Sequence, residues 1–169
     1  LDKFNPANGF KRMFSKDSLF ELLKSVIKLG LIGYMQEGAT VTRLGITGDV
    51  ICSAKSNAQA GGIAGYMNSG TTISQCFSAV NVTSAKHAGG IAGYTASGSA
   101  ITDCYATGNI ATTSANECFL GGICGSYYSN TNGATLTNCY STGKVTGTGG
   151  NASYIGGISP SNNEANYVN

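Results

Sequence analysis

Charge is scarce in this chain. Asp, Glu, Lys and Arg make up 11% of its 169 residues, against about a quarter in an ordinary soluble domain. The formal net charge is only +2, too little to form the basic track that nucleic acid requires, so no nucleic-acid partner is expected. Histidine is nearly absent: His87 stands alone, no His-Glu-x-x-His segment occurs, and the cysteines lack zinc-site spacing. Neither metal nor other cofactor is expected. No stretch approaches the roughly 20 apolar residues of a bilayer-spanning helix. Glu37, Asp49, Asp103, Glu117 and Glu164 lie singly along the chain, without the clustered carboxylates that polysaccharide-cleaving solenoids need. The expectation is therefore a protein that is not an enzyme.

What the chain has in quantity is a glycine signature. Gly-hydrophobic-x-Gly recurs at Gly30-Leu31-Ile32-Gly33, Gly62-Ile63-Ala64-Gly65, Gly90-Ile91-Ala92-Gly93 and Gly122-Ile123-Cys124-Gly125, and a fifth copy breaks off after Gly157-Ile158 at Ser159-Pro160. Copies open at Leu29, Gly61, Gly89, Gly121 and Gly156, in steps of 32, 28, 32 and 35 residues. Such a period marks units that bury their apolar side only by stacking on one another.

Aligned copies give columns. Val41, Ile73, Ile101 and Leu136 are always aliphatic between small or hydroxylated neighbours. In Cys104-Tyr105-Ala106-Thr107-Gly108-Asn109-Ile110, small or apolar residues alternate with polar or aromatic ones, the period of a strand with one buried face. Three short strands per copy, separated by Asn-Ser-Gly, Ala-Ser-Gly or Thr-Gly turns, describe a coil of a parallel β-helix. The fold expected is all-β: a parallel β-solenoid of about four coils, right-handed if its crossovers follow the usual rule.

The glycine signature, followed by segments such as Cys104-Tyr105-Ala106-Thr107-Gly108-Asn109-Ile110 and Cys139-Tyr140-Ser141-Thr142-Gly143-Lys144-Val145, resembles the GLUG-motif repeats of bacterial surface and adhesin-like proteins. The resemblance covers roughly residues 29 to 158. It implies an exported, extracellular or cell-surface location and a repeat architecture, and it brings no catalytic residues with it.

The resulting organisation is an N-terminal cap (1–28), solenoid repeats (29–158, divided 29–60, 61–88, 89–120, 121–155 and a partial copy from 156) and a polar tail (159–169). Residues 18–28 carry helical spacing, with Ser18 and Glu21 as a capping box. That amphipathic helix is expected to cover the open end of the first coil, a membrane-surface helix being the alternative. The absence of an initiator Met and the unfinished last copy suggest a piece of something longer. Stacking is expected to stop at Ser159-Pro160.

Cys76, Cys104 and Cys139 share a column with Leu44 and read as small buried hydrophobes. Cys124 reads as core, Cys52 as following a first-coil strand, and Cys118 as the exposed thiol, with a Cys118–Cys124 bridge the lesser alternative. His87 is expected in a turn, exposed and without a partner. Phe77, Tyr105 and Tyr140 should face outward from successive coils, as should Tyr66 and Tyr94 after Tyr34. These rows can contact sugar rings or a protein partner, or simply stack on one another. Ranks of threonine, Thr40, Thr72 and Thr135 beside Thr42, Thr102 and Thr137, offer a second regular face, interrupted at Ala100 and Ser74.

The function expected is a non-enzymatic adhesin-like stalk or recognition surface for a host or cell-surface protein or glycan. The alternatives are a glycan-binding (less readily glycan-cleaving) module, or a structural spacer that associates end to end.

Overall fold

In the computed structural model the described residues are 32–54, 57–126, 133–148 and 153–160, with the backbone of 167–168. The helix expected over 18–28 lies outside them. Among the described residues every strand pairing is parallel, and the chain winds as a β-solenoid of about four coils. The first coil contributes β1 (Ile32–Met35), β2 (Thr40–Thr42) and β3 (Gly45–Cys52), and the second β4 (Gln59–Gly61), β5 (Ala64–Met67), β6 (Thr72–Ser74) and β7 (Phe77–Ser84). The third holds β8 (His87–Gly89), β9 (Ala92–Thr95), β10 (Ala100–Thr102), β11 (Tyr105–Ala106) and β12 (Ile110–Thr112). The fourth holds β13 (Cys118–Gly121), β14 (Thr135–Thr137), β15 (Tyr140–Ser141) and β16 (Val145–Thr146), and β17 (Ser153–Gly156) and β18 (Tyr167–Val168) follow.

A full coil visits four faces, where the sequence pattern suggests three. The sheets are β1-β5-β9, then β2-β6-β10-β14-β18, then a third containing β3, β7, β11, β12, β15 and β16, and finally β4-β8-β13-β17. The extra face comes from three-residue strands such as Gln59–Gly61 and His87–Gly89. Their glycine ending reads locally as turn chemistry, and only the neighbouring coil turns them into strands. Register follows the repeat: Gly61 pairs with Gly89, Gly89 with Gly121, and Gly121 with Gly156.

The aliphatic column is the core of the second sheet. Val41, Ile73, Ile101 and Leu136 are rungs of one ladder, with Ile73 and Ile101 buried. Ile63, Ile91 and Ile123 fill the interior beside the glycines, and Cys124 continues the Ile32, Ala64, Ala92 column into it. Each end coil also has core-facing residues that are only half-buried: Ile32, Val41, Leu44 and Val50 on one side, Leu136, Cys139, Val145 and Ile158 on the other. Pairing does not stop at Ser159-Pro160. Beyond it, β18 adds to β14, because a backbone ladder needs no particular side chain to continue.

Two of the corners recur from coil to coil in the left-handed conformation. Gly38, Gly70 and Gly98 take positive φ of 72°, 67° and 68°, the left-handed turn that glycine adopts without strain. Between the second and third faces, Arg43, Gln75, Asp103 and Asn138 adopt the same region with φ of 51–54°. Stacking holds these non-glycine residues there: the amides of Arg43, Gln75 and Asp103 donate to Ser74, Thr102 and Thr137 of the next coil at 3.0–3.1 Å.

Candidate functional site

The outward positions assemble into ladders, since residues one repeat apart lie one strand spacing apart, about 4.8 Å. Phe77, Tyr105 and Tyr140 form one, with ring centroids 5.3 and 5.1 Å apart and planes within 11° and 3° of parallel. Tyr34, Tyr66 and Tyr94 form a second at 5.1 Å per step. The inner rings therefore use their faces on one another and present mainly their edges. Tyr140 at 54% exposure and Tyr34 at 51% end their ladders, and an end ring keeps one face clear of its own ladder.

A third ladder is absent from the sequence reading. His87, Phe119 and Tyr154 stack at 4.9 Å per step, and His87 also meets Tyr94 edge-on at 5.7 Å. Five contacts thus join six rings into one strip from Tyr34 to Tyr154. Its signal was available: Gln59, His87, Phe119 and Tyr154 each stand two residues before the aligned glycine.

This overturns the expectation for His87, which is buried and lies in β8. Burial, aided by the neighbouring Lys86 ammonium, lowers its pKa from 6.5 to about 4. Its Nδ1 has no hydrogen-bond partner among the described residues. The folded state therefore takes up a proton later than the unfolded chain. Stability should be full above pH 6.5 and decline as pH falls toward 4, by about 2 kcal/mol once solvent screening at the ring edge is allowed for. Urea unfolding at pH 7 and pH 4.5 measures this, and His87→Phe, which copies Phe119, should remove most of the difference assigned to this ring.

Cys118 is likewise buried, not exposed, and its thiol donates to Ser153 Oγ at 3.3 Å. As the first residue of β13 it points inward against β17. Cys52 ends β3 instead of following it. All six cysteines are free.

The column thiols are more than hydrophobes. Cys76, Cys104 and Cys139 donate to the carbonyls of Ser74, Thr102 and Thr137 at 3.1, 3.1 and 3.2 Å. Those carbonyls also receive the corner amides of Arg43, Gln75 and Asp103, so each thiol completes the hydrogen bonding at a left-handed corner.

Carboxylates on the described surface are drawn into the stacking as well. Asn81 donates to Asp49 at 2.9 Å, and Asn138 to Asp103 at 3.0 Å. Asn109 and Lys144 extend the first row through backbone amides that donate to Asn81 Oδ1 and Asn109 Oδ1, both at 3.0 Å. Glu117 lies 3.8 Å from the Lys86 ammonium. Among the described residues no three His, Cys, Asp or Glu side chains converge as a metal site, and no helix is long and apolar enough to cross a membrane.

Residues 84–111 match the family described as the GLUG motif. That span runs from the end of β7 through β8, β9, β10 and β11 into β12, so one motif corresponds to one turn of the solenoid. Residues 1–64 match a bacterial export family described as FlhB HrpN YscU SpaS; within that span, residues 32–52 form the first coil. No curated protein and no solved structure matches the chain. The chain is thus similar to the GLUG motif over its third coil.

Proposed function

We propose that the chain is a non-enzymatic repeat domain of an exported bacterial protein, acting at the cell surface or outside the cell as an adhesin-like stalk or recognition surface. The observation that carries this reading is the surface itself, low in charge and ruled into parallel rows of aromatic rings, amides and hydroxyls at one strand spacing. Similarity to the GLUG motif supports the repeat role, and similarity to a bacterial export family supports a link to secretion. Asp49 and Asp103 have amide partners within the rows and Glu117 pairs with Lys86, which favours binding over acid and base chemistry.

The second reading, a glycan-binding module, rests on the exposed end rings Tyr34, Tyr140 and Tyr154. A ring with an open face can lie against a sugar or anchor a partner side chain. Of the five candidates Phe77, Tyr105, Tyr140, Tyr66 and Tyr94, Tyr140 is the contact residue in this reading; Phe77 and Tyr105 stack beneath it and set its orientation, while Tyr66 and Tyr94 back Tyr34 in the other strip.

Labelled protein applied to a glycan array and to intact host and bacterial cells tests both. Saturable binding is expected, weakened about tenfold by Tyr140→Ala with the circular dichroism unchanged. Loss on cells alone indicates a protein partner, and loss on the array indicates a sugar. Absence of binding to every surface, or release of new sugar ends from polysaccharides, would overturn the proposal.

A further inference from the structure

The corner between the second and third faces stacks three thiols on consecutive coils. Tyr105 pairs with Tyr140, and Thr102 with Thr137, which sets Cys104 and Cys139 on adjacent rungs. Asp103 and Asn138, the residues before them, share the same left-handed conformation and are tied by a 3.0 Å amide-to-carboxylate hydrogen bond. Adjacent rungs are about 4.8 Å apart, inside the Cα separation of about 4.4 to 6.8 Å that a disulfide spans.

We propose that Cys104 and Cys139 are an oxidisable dithiol, closed by exchange with a low-molecular-weight disulfide into a bond that staples the third coil to the fourth. This stands independently of the binding role. Three stacked thiols can close only one bond, and their surroundings select the pair. Cys76 is buried, and its sulfur also accepts the Leu44 amide at 3.4 Å. Cys139 is half-buried on the fourth coil, so an oxidant meets it first. The neighbouring Cys104 side chain lowers the Cys139 thiol below its ordinary value, while the same contact raises Cys104. The accessible sulfur is thus the one that begins the exchange.

In the first step the Cys139 thiolate attacks one sulfur of the small disulfide, forming a mixed disulfide and releasing one small thiolate. That thiolate takes the Cys104 proton. Cys104 then attacks the Cys139 sulfur and expels the second small thiolate, which takes up the proton Cys139 had given to solvent. Two protein thiols are oxidised and one small disulfide is reduced to two thiols. The bond closes the sequence from 104 to 139 into a loop, which restricts the unfolded chain, and it secures a coil whose Leu136 and Val145 are only half-buried.

The test is to treat the reduced full chain with glutathione disulfide and map it by non-reducing mass spectrometry. A peptide linking Cys104 to Cys139 is expected, with a higher thermal midpoint that dithiothreitol reverses. Cys76→Ser should retain the link and Cys139→Ser should lose it. In the reduced protein, the pH of half-maximal alkylation of Cys139 should rise in Cys104→Ser. A stable glutathione adduct on Cys139 with Cys104 still free, a Cys76–Cys104 link, or no reaction at either thiol would overturn the proposal.

Discussion

Gly89→Ala is expected to cost at least about 4 kcal/mol, the range reserved for substitutions that break a core, and so to unfold a domain of ordinary stability or nearly so. A Cβ at Gly89 would sit 2.0 Å from the Ala92 carbonyl oxygen, 2.6 Å from the Gly125 amide and 2.8 Å from the Ile123 carbonyl. All three are backbone atoms, two of them in the next coil, so no rotamer change relieves the overlap. The coils would have to separate, and the Ile91 amide bonded to the Ile123 carbonyl at 2.9 Å would separate with them.

Two other glycines serve as controls. Gly33 occupies the first-coil place of Gly65, Gly93 and Gly125, but a Cβ there meets nothing within 4 Å, so Gly33→Ala should change stability by less than about 0.5 kcal/mol. At Gly98 a Cβ would meet only the Gly70 amide at 3.8 Å, an ordinary contact, and φ is +68°, so Gly98→Ala should cost about 1 to 2 kcal/mol through backbone strain alone. Urea denaturation of the three variants separates close approach from conformation. Equal losses at all three would refute the assignment of Gly89 to coil contact.

Ile101→Ala should cost about 3 to 4 kcal/mol, within the usual range for emptying a buried aliphatic site. Ile101 is fully buried between Ile73 and Leu136 of its ladder. Rungs held by hydrogen bonds on both sides cannot collapse inward to fill the space. Leu136→Ala, one rung along the same column, should cost about 1 to 2 kcal/mol, because Leu136 is only half-buried and has less contact to lose. The ratio of the two losses, read from unfolding midpoints at constant slope, checks that stability is concentrated in the middle coils.

Repetition made much of the architecture legible. Once Gly61, Gly89, Gly121 and Gly156 are aligned, the buried column through Ile73 and Ile101, the ladder from Phe77 to Tyr140 and the amide row from Asp49 to Lys144 follow as equivalent positions. What resisted reading were residues that look ordinary within one copy. His87 resembles a turn histidine until Phe119 and Tyr154 are set beneath it. Cys118 reads as an exposed thiol until β17 covers it. The fourth face was hidden because three residues ending in glycine carry no strand signal without a neighbour.

The candidate site shows the same division. Phe77, Tyr105, Tyr140, Tyr66 and Tyr94 could be named from their columns, since an exposed position on a half-buried strand is a matter of alternation. Which rings keep an open face was settled by stacking: Tyr66 and Tyr105 have rings on both sides and present edges, whereas Tyr34 and Tyr140 end their ladders exposed.

By itself the sequence determined the period, the parallel register and the inward and outward columns of the second and third faces, because these follow from side-chain periodicity along the strand and identity between copies. Tertiary structure alone decided why the glycines cannot carry a side chain, how His87 comes to be buried and neutral, and which thiols face one another. Those properties are distances between atoms of different coils, set by how closely one coil lies on the next.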